Sequence, residues 1–194
     1  MGRQETDYLL VSRRRRVTEN LQLQEALVEL ELVKWWDSKR EAEDSLRPHW
    51  KLAAAIGSEA EYPAAWMTCK VRNIFLLFCL TRRRPLPQVI QATPISSLVV
   101  GANTALYRID IDSREVTVAT EFGTPFYEFV DARETSVTAI FETGLVSLGP
   151  DGHVAWRVDT DLVTDYAREG DTLRLHFSDD QPITIDLRSG YRIP

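Results

Sequence analysis

The chain has 194 residues, 44% of them hydrophobic and 27% charged, with a formal net charge of −6. That is enough to bury one good core or two small ones, and it excludes an intrinsically disordered or fibrous chain. The two cysteines, Cys69 and Cys79, are too few for a disulfide framework and too far apart in sequence for a metal knuckle, so a reducing, cytoplasmic setting is expected.

The charge is unevenly spread. Residues 1–90 hold 15 Lys and Arg against 12 Asp and Glu, whereas residues 91–194 hold 8 arginines against 17 acids. The change coincides with the proline-containing stretch "RRRPLPQ" (82–88). We therefore divide the chain into 1–85 and 86–194.

The start, "MGRQETDYLLVSRRRR", has acids before its basic run and no long apolar stretch, which does not read as a signal peptide. Met1, Gly2 and Thr6 fit a short myristoylation pattern that is common by chance. The segment "VTENLQLQEALVELELVKWW" admits two periods. Leu23, Leu27 and Leu30 have helical spacing, and Val28, Leu30 and Leu32 alternate as a strand would. Helix formers dominate and no breaker falls between Thr18 and Leu46, so helix is predicted there.

Ser38-Lys39-Arg40-Glu41 is a capping-box pattern. Pro48 and Gly57 suit the first turn and the end of a further helix, and Ser58–Glu61 repeats the box. Pro63 precedes "AAWMTCKVRNIFLLFCLT", which has helical length. Its apolar core, Ile74–Leu80, has seven residues, where a membrane span needs about twenty. The reading for 1–85 is two to four helices burying Trp35, Trp36, Trp50 and Trp66.

Arg13–Arg16 and Arg82–Arg84 could contact phosphate. The acidic whole and the lack of interleaved aromatics count against nucleic acid as the partner.

Three later segments align: one from Ser96, one from Thr135 and one from Asp171. Each has an apolar β-rich run, a polar turn, a second run, a tight turn and a third run. The tight turns fall at Asp112-Ser113, Asp151-Gly152 and Ser189-Gly190, spaced by 39 and 38 residues. Glycine in such turns takes positive φ without steric cost. The linking segments "PQVIQATPI", "GTPFYEFVDARE" and "DLVTDYAREG" each supply a fourth strand.

A period near 40 with four strands is the grammar of a propeller blade. A sandwich or meander with evenly spaced hairpins shares that grammar. "GLVSLGPDGHVAWRVDT" resembles the PQQ-like (quinoprotein-type) β-propeller repeat, with its aliphatic strand, Asp/Gly turn and tryptophan-bearing strand. "ALYRIDIDSREVTVAT" has Val118 near the tryptophan position, and "PITIDLRSGYRIP" keeps the turn and lacks the tryptophan. The resemblance covers residues 86–194 and implies three blade-like units. Enzyme members bind a quinone in a full ring. Three units do not make a ring of four to eight blades, and no residues match a quinone site, so no cofactor is expected. The fold class read from the sequence is α+β, a helical N-terminal part followed by an antiparallel β-repeat part.

No catalytic signature is present: the chain lacks HExxH, GxSxG, a Walker loop and GxGxxG. His49, His153 and His176 read as structural. Acid pairs at Asp110/Asp112, Asp159/Asp161 and Asp179/Asp180 could offer oxygens to calcium but lack EF-hand spacing, so no metal is expected. The function expected is non-catalytic binding of a protein partner, one carrying basic charge, through the acidic β surface. Candidate binding residues are Asp159, Asp161, His176, Asp179 and Asp180. Exposed sheet edges would also invite self-association. Two alternatives stay open: an enzyme of unrecognised type with a site at the repeat ends, and an acidic immunity-type inhibitor of a basic toxin.

Overall fold

Strand-forming apolar residues shape both parts of this chain. The computed structural model describes residues 23, 26–29, 31–48, 53–56, 65–71, 74–80, 85–92, 97–178 and 180–194. They form seventeen strands and one helix of appreciable length.

The N-terminal part holds β1 (Leu27–Val28), β2 (Glu31–Trp36), helix α1 (Lys39–Leu46), β3 (Ala53–Ile56), β4 (Ala65–Val71) and β5 (Ile74–Leu80). The β-rich part follows with β6 (Gln88–Ala92), β7 (Ser97–Ala102), β8 (Ala105–Asp110), β9 (Val116–Glu121), β10 (Phe126–Arg133) and β11 (Ser136–Phe141). It ends with β12 (Gly144–Leu148), β13 (Val154–Asp159), β14 (Val163–Glu169), β15 (Thr172–Phe177), β16 (Ile183–Asp186) and β17 (Arg192–Ile193).

Four open sheets result. Sheet I has the order β2-β4-β5-β3, with β3 parallel to β5. Sheet II has the order β1-β6-β7-β8-β9. Sheets III (β10-β11-β12-β13) and IV (β14-β15-β16-β17) are simple antiparallel meanders. None of the four closes into a barrel.

The sheets stack face to face through three apolar cores. Met67, Cys69, Leu76 and Phe78 of sheet I meet Leu98, Val100 and Ile109 of sheet II. The other face of sheet II, with Ile90, Val99 and Leu106, meets Phe126, Phe129, Phe141 and Val146 of sheet III. Ile140 and Leu145, on the far face of sheet III, meet Leu173, Leu175 and Ile185 of sheet IV. Helix α1 covers the remaining face of sheet I, where Ala42 and Leu46 pack on Trp66, Leu77 and Cys79. The layers run α1, I, II, III, IV. Successive residues of a strand point to opposite faces, so a strand inside this stack is apolar at nearly every position.

That rule corrects the helical reading of 1–85. The run Ile74–Leu80 is a strand whose even-numbered residues face sheet II and whose odd-numbered residues Leu77 and Cys79 face α1. A short continuous apolar run fits a two-sided strand and a buried helix equally by periodicity. Ala65–Val71 and Ile74–Leu80 pair as antiparallel strands, not as a helix. Leu23 and Ala26 are helical as that reading has them, but Leu27–Val28 and Glu31–Trp36 are strands, so there the alternation outweighs the helix-forming composition. The Ser38 box is real: the Ser38 side chain accepts from the Glu41 amide at 3.3 Å and starts α1. The further helix placed between Pro48 and Gly57 gives way to β3. Ser58–Glu61, Trp50 and both arginine runs lie outside the described residues. Trp66 is buried, whereas Trp35 and Trp36 are half-buried. Trp36 Nε1 donates to Thr68 Oγ1 at 3.0 Å, tying β2 to β4.

In the β-rich part all strands pair antiparallel, and the turns at 112–113, 151–152 and 189–190 fall between strands. Trp156 lies between sheets III and IV against the Gly190 turn and is half-buried, while Val154, across the register shift opposite Ser147 and Leu148, is exposed. A buried cluster of charge closes the same junction. Asp131, fully buried, pairs with Arg133 of its own strand and with Arg168 of β14 at 2.8 Å. Arg133 Nη2 lies 3.0 Å from Asp171, which holds Arg188 at 2.6 Å.

Gly101 tests the tightness of the II–III layer. A Cβ there would lie 2.2 Å from the Phe126 ring, which is itself wedged edge-on against Phe129 and Phe141. Gly101→Ala is expected to destabilise by about 1–3 kcal/mol through overpacking. In a double-mutant cycle Phe126→Leu should relieve part of that cost. Additive denaturation midpoints would contradict the packing.

Candidate functional site

The connection between β13 and β14 is pinned across sheet III. Thr160 N donates to Thr143 O at 2.9 Å, and Val163 N donates to Glu142 O at 2.8 Å. These bonds hold Asp159, Thr160 and Asp161 at the end of sheet III, beside the loop joining β15 to β16. A cleft of about 440 Å³ opens there, lined by Asp159, Asp161, Phe177, Asp180, Gln181 and Arg192, with Thr160 and Ile183.

Its charges are not equivalent. Asp159 is held by Arg157, whose Nε and Nη2 both donate to Oδ1 at 2.9 and 2.7 Å. The same guanidinium sits 4.0 Å over the Phe122 ring and reaches Glu121 O at 3.3 Å, so the pair also stitches sheet III to sheet II. Asp161, Asp180 and Arg192 make no ion pair among the described residues. The Thr160 hydroxyl donates to Asp161 O at 2.9 Å. The cleft therefore offers two unpaired carboxylates and one guanidinium beside the half-buried Phe177 and Ile183. That suits a ligand carrying positive charge and some apolar surface.

Of the residues singled out from sequence, Asp159, Asp161 and Asp180 share this cleft. Asp179 lies outside the described residues. His176 does not line it: Phe177 does, and neighbouring residues of a strand face opposite ways. His176 pairs in register with Asp165, and its carbonyl accepts from Thr164 Oγ1 at 3.1 Å. Sequence reasoning missed Phe177, Gln181, Ile183 and Arg192. Arg192 joins through the β16–β17 pairing, which sequence distance alone does not disclose.

The other acid pair has a structural task. Asp110 Oδ1 accepts from the amides of Asp112 and Ser113 at 3.0 and 2.7 Å. Asp186 repeats the arrangement at the equivalent turn of sheet IV, accepting from Arg188 and Ser189 at 2.9 and 2.8 Å. In both turns the residue after the serine has positive φ, Arg114 at 62° and Gly190 at 74°. Backbone amides at Ser113 and Ser189 hold the two carboxyls below the ordinary value. Among the described residues, no group of three or more His, Cys, Asp or Glu is placed to hold a metal ion. Cys69 and Cys79 are buried and form no disulfide, and burial pushes the Cys69 thiol up to about 12.

No family model matches the sequence, and no curated protein matches it. Among solved structures, a chain of an S. cerevisiae complex of Dbp5 bound to Nup159, Gle1, IP6 and ADP is similar with a TM-score of 0.39 and 17% identity. The match covers 54% of this chain and 29% of that chain, and a likeness so low carries no argument.

The turn aspartates have a pH signature. Each has a folded pKa below its unfolded value near 3.9, so its contribution is present at neutral pH. It is lost as pH falls past the unfolded value and through the lowered native one. Asp186→Ala should lower the melting temperature at pH 7 and leave it nearly unchanged near pH 2. An equal loss at both values would show that the carboxylate charge is not what the turn uses.

Proposed function

We propose that this chain is a non-catalytic binding protein that offers an acidic β surface to a basic protein partner. Sheets II, III and IV are taken as blade-like units of the kind the PQQ-like resemblance implies, used as an open stack without a cofactor. A reducing, cytoplasmic setting suits two buried cysteines that form no disulfide. No helix among the described residues is long and apolar enough to cross a membrane.

The observation that carries this reading is the cleft at the ends of sheets III and IV, where Asp161 and Asp180 are without ion pairs among the described residues. It lies in a half of the chain with 8 arginines against 17 acids. Such a field raises the encounter rate with a basic surface, and salt screens it over about 8 Å at physiological strength.

Asp161→Lys and Asp180→Lys test the reading while leaving the Arg157–Asp159 pair intact. A partner captured by the native chain is expected to be basic at the contact. Its association rate should fall about tenfold or more with the double reversal and lose part of its salt dependence. An acidic partner, or an association rate indifferent to both salt and reversal, would contradict the reading.

A further inference from the structure

In a stack where each layer touches only its neighbours, stability is close to a sum of each layer's own term and its interface terms. Sheets II and III each have two packed faces. Sheet I is covered on one face by sheet II and on the other by α1.

Among the described residues, sheet IV shares an apolar core with sheet III alone. Its outer face alternates away from Leu173, Leu175 and Ile185, and it carries Asp165, Ala167, Arg174, His176 and Thr184. An end layer with one interface has the lowest cost of opening as a unit.

The interface it does have is latched by charge. Asp131 reaches the III–IV junction with no side-chain exposure, and Arg133 and Arg168 beside it keep only 18% and 21%. Arg168 also donates to Val130 O at 2.9 Å, so a side chain of sheet IV is bonded to the backbone of sheet III. Asp171 and Arg188, from two turns of sheet IV, extend the cluster outward. A buried pair loses far more when one member is removed than it gains when complete, because the other charge is stranded.

We propose that sheet IV, residues 163–194, opens from sheet III as one cooperative unit, and that Asp131 with Arg133, Arg168, Asp171 and Arg188 is the latch that holds it shut. The latch and the cleft sit at opposite ends of the same junction. β14 begins at Val163 beside the cleft and ends at Glu169 beside the latch, a span of roughly 20 Å at strand rise. Opening the sheet therefore separates Asp159 and Asp161 from Phe177, Asp180 and Arg192. The latch is a conformational control on whatever the cleft holds, and its existence does not depend on the identity of that ligand.

Native-state hydrogen exchange on the full chain tests this. In the native protein the amides of β15 and β16 should exchange with one common rate, about tenfold or more faster than those of β7 and β11. Asp131→Asn should accelerate exchange in sheet IV by on the order of 100-fold and leave β4, β5 and β7 at their native rates. Asp171→Asn, at a half-exposed position, should give the same pattern with smaller size, and it serves if Asp131→Asn fails to fold. Exchange of sheet IV at the single rate of sheets II and III in the native protein would overturn the proposal. So would an acceleration by either variant spread equally over all four sheets.

Discussion

The architecture depends on one constraint: most of its central strands are buried on both faces. Sheets I, II and III each lie between two covering layers, so their strands meet an apolar neighbour on either side. β5 and β7 are hydrophobic at almost every position for that reason. Two polar side chains inside, Thr138 and Ser147, are matched across their strand pair, opposite in register and bonded at 3.1 Å. Burial of each large side chain is worth about 1.5–3 kcal/mol, and the sum over three cores offsets the backbone entropy of so many short strands. The stack is finished at its two ends by different means, an amphipathic helix over sheet I and a polar outer face on sheet IV.

Arginine is the second material of the fold. Every cation in residues 91–194 is arginine, and several serve as bonds between sheets. Arg108 donates to Asp151 O, Arg157 to Glu121 O, and Arg168 to Val130 O. The guanidinium fork can hold a carboxylate and a carbonyl together, which a lysine cannot reproduce. Arginines used in this way leave the surface of that half to its acids. The negative field is thus in part a by-product of how the layers are joined, and the cleft at the III–IV junction is where unpaired carboxylates and an apolar ring meet.

The β-rich half was legible because its turns carry local chemistry. Asp-Gly, Ser-Gly and Asp-Ser mark chain reversals within a few residues, and the spacing of those reversals revealed the repeat. The N-terminal strands were not legible because nothing local distinguishes a two-sided strand from a buried helix. Ala65–Val71 contains residues that favour either state, and its identity is decided by sheet II on one side and α1 on the other. The cleft was half legible: Asp159 and Asp161 fall at the end of the third run, where a strand must stop. Arg192 and Phe177 reach it only through pairings made after the chain has folded back, and Asp131 was hidden inside a strand whose sequence, "FYEFVDAR", gives no sign of which acid is buried.

The two-sided burial of sheet I can be read directly from its cysteines. Cys69 belongs to the core shared with sheet II and Cys79 to the core under α1, although their strands are direct neighbours. The most direct measurement is thiol reactivity toward a disulfide reagent in single-cysteine variants, with and without Leu46→Ala in α1. Both thiols should be protected in the native chain. Loosening the helix should raise the Cys79 rate about tenfold or more and leave the Cys69 rate unchanged, since only local opening at α1 is affected. Equal acceleration of both thiols, or of Cys69 alone, would contradict the layered arrangement.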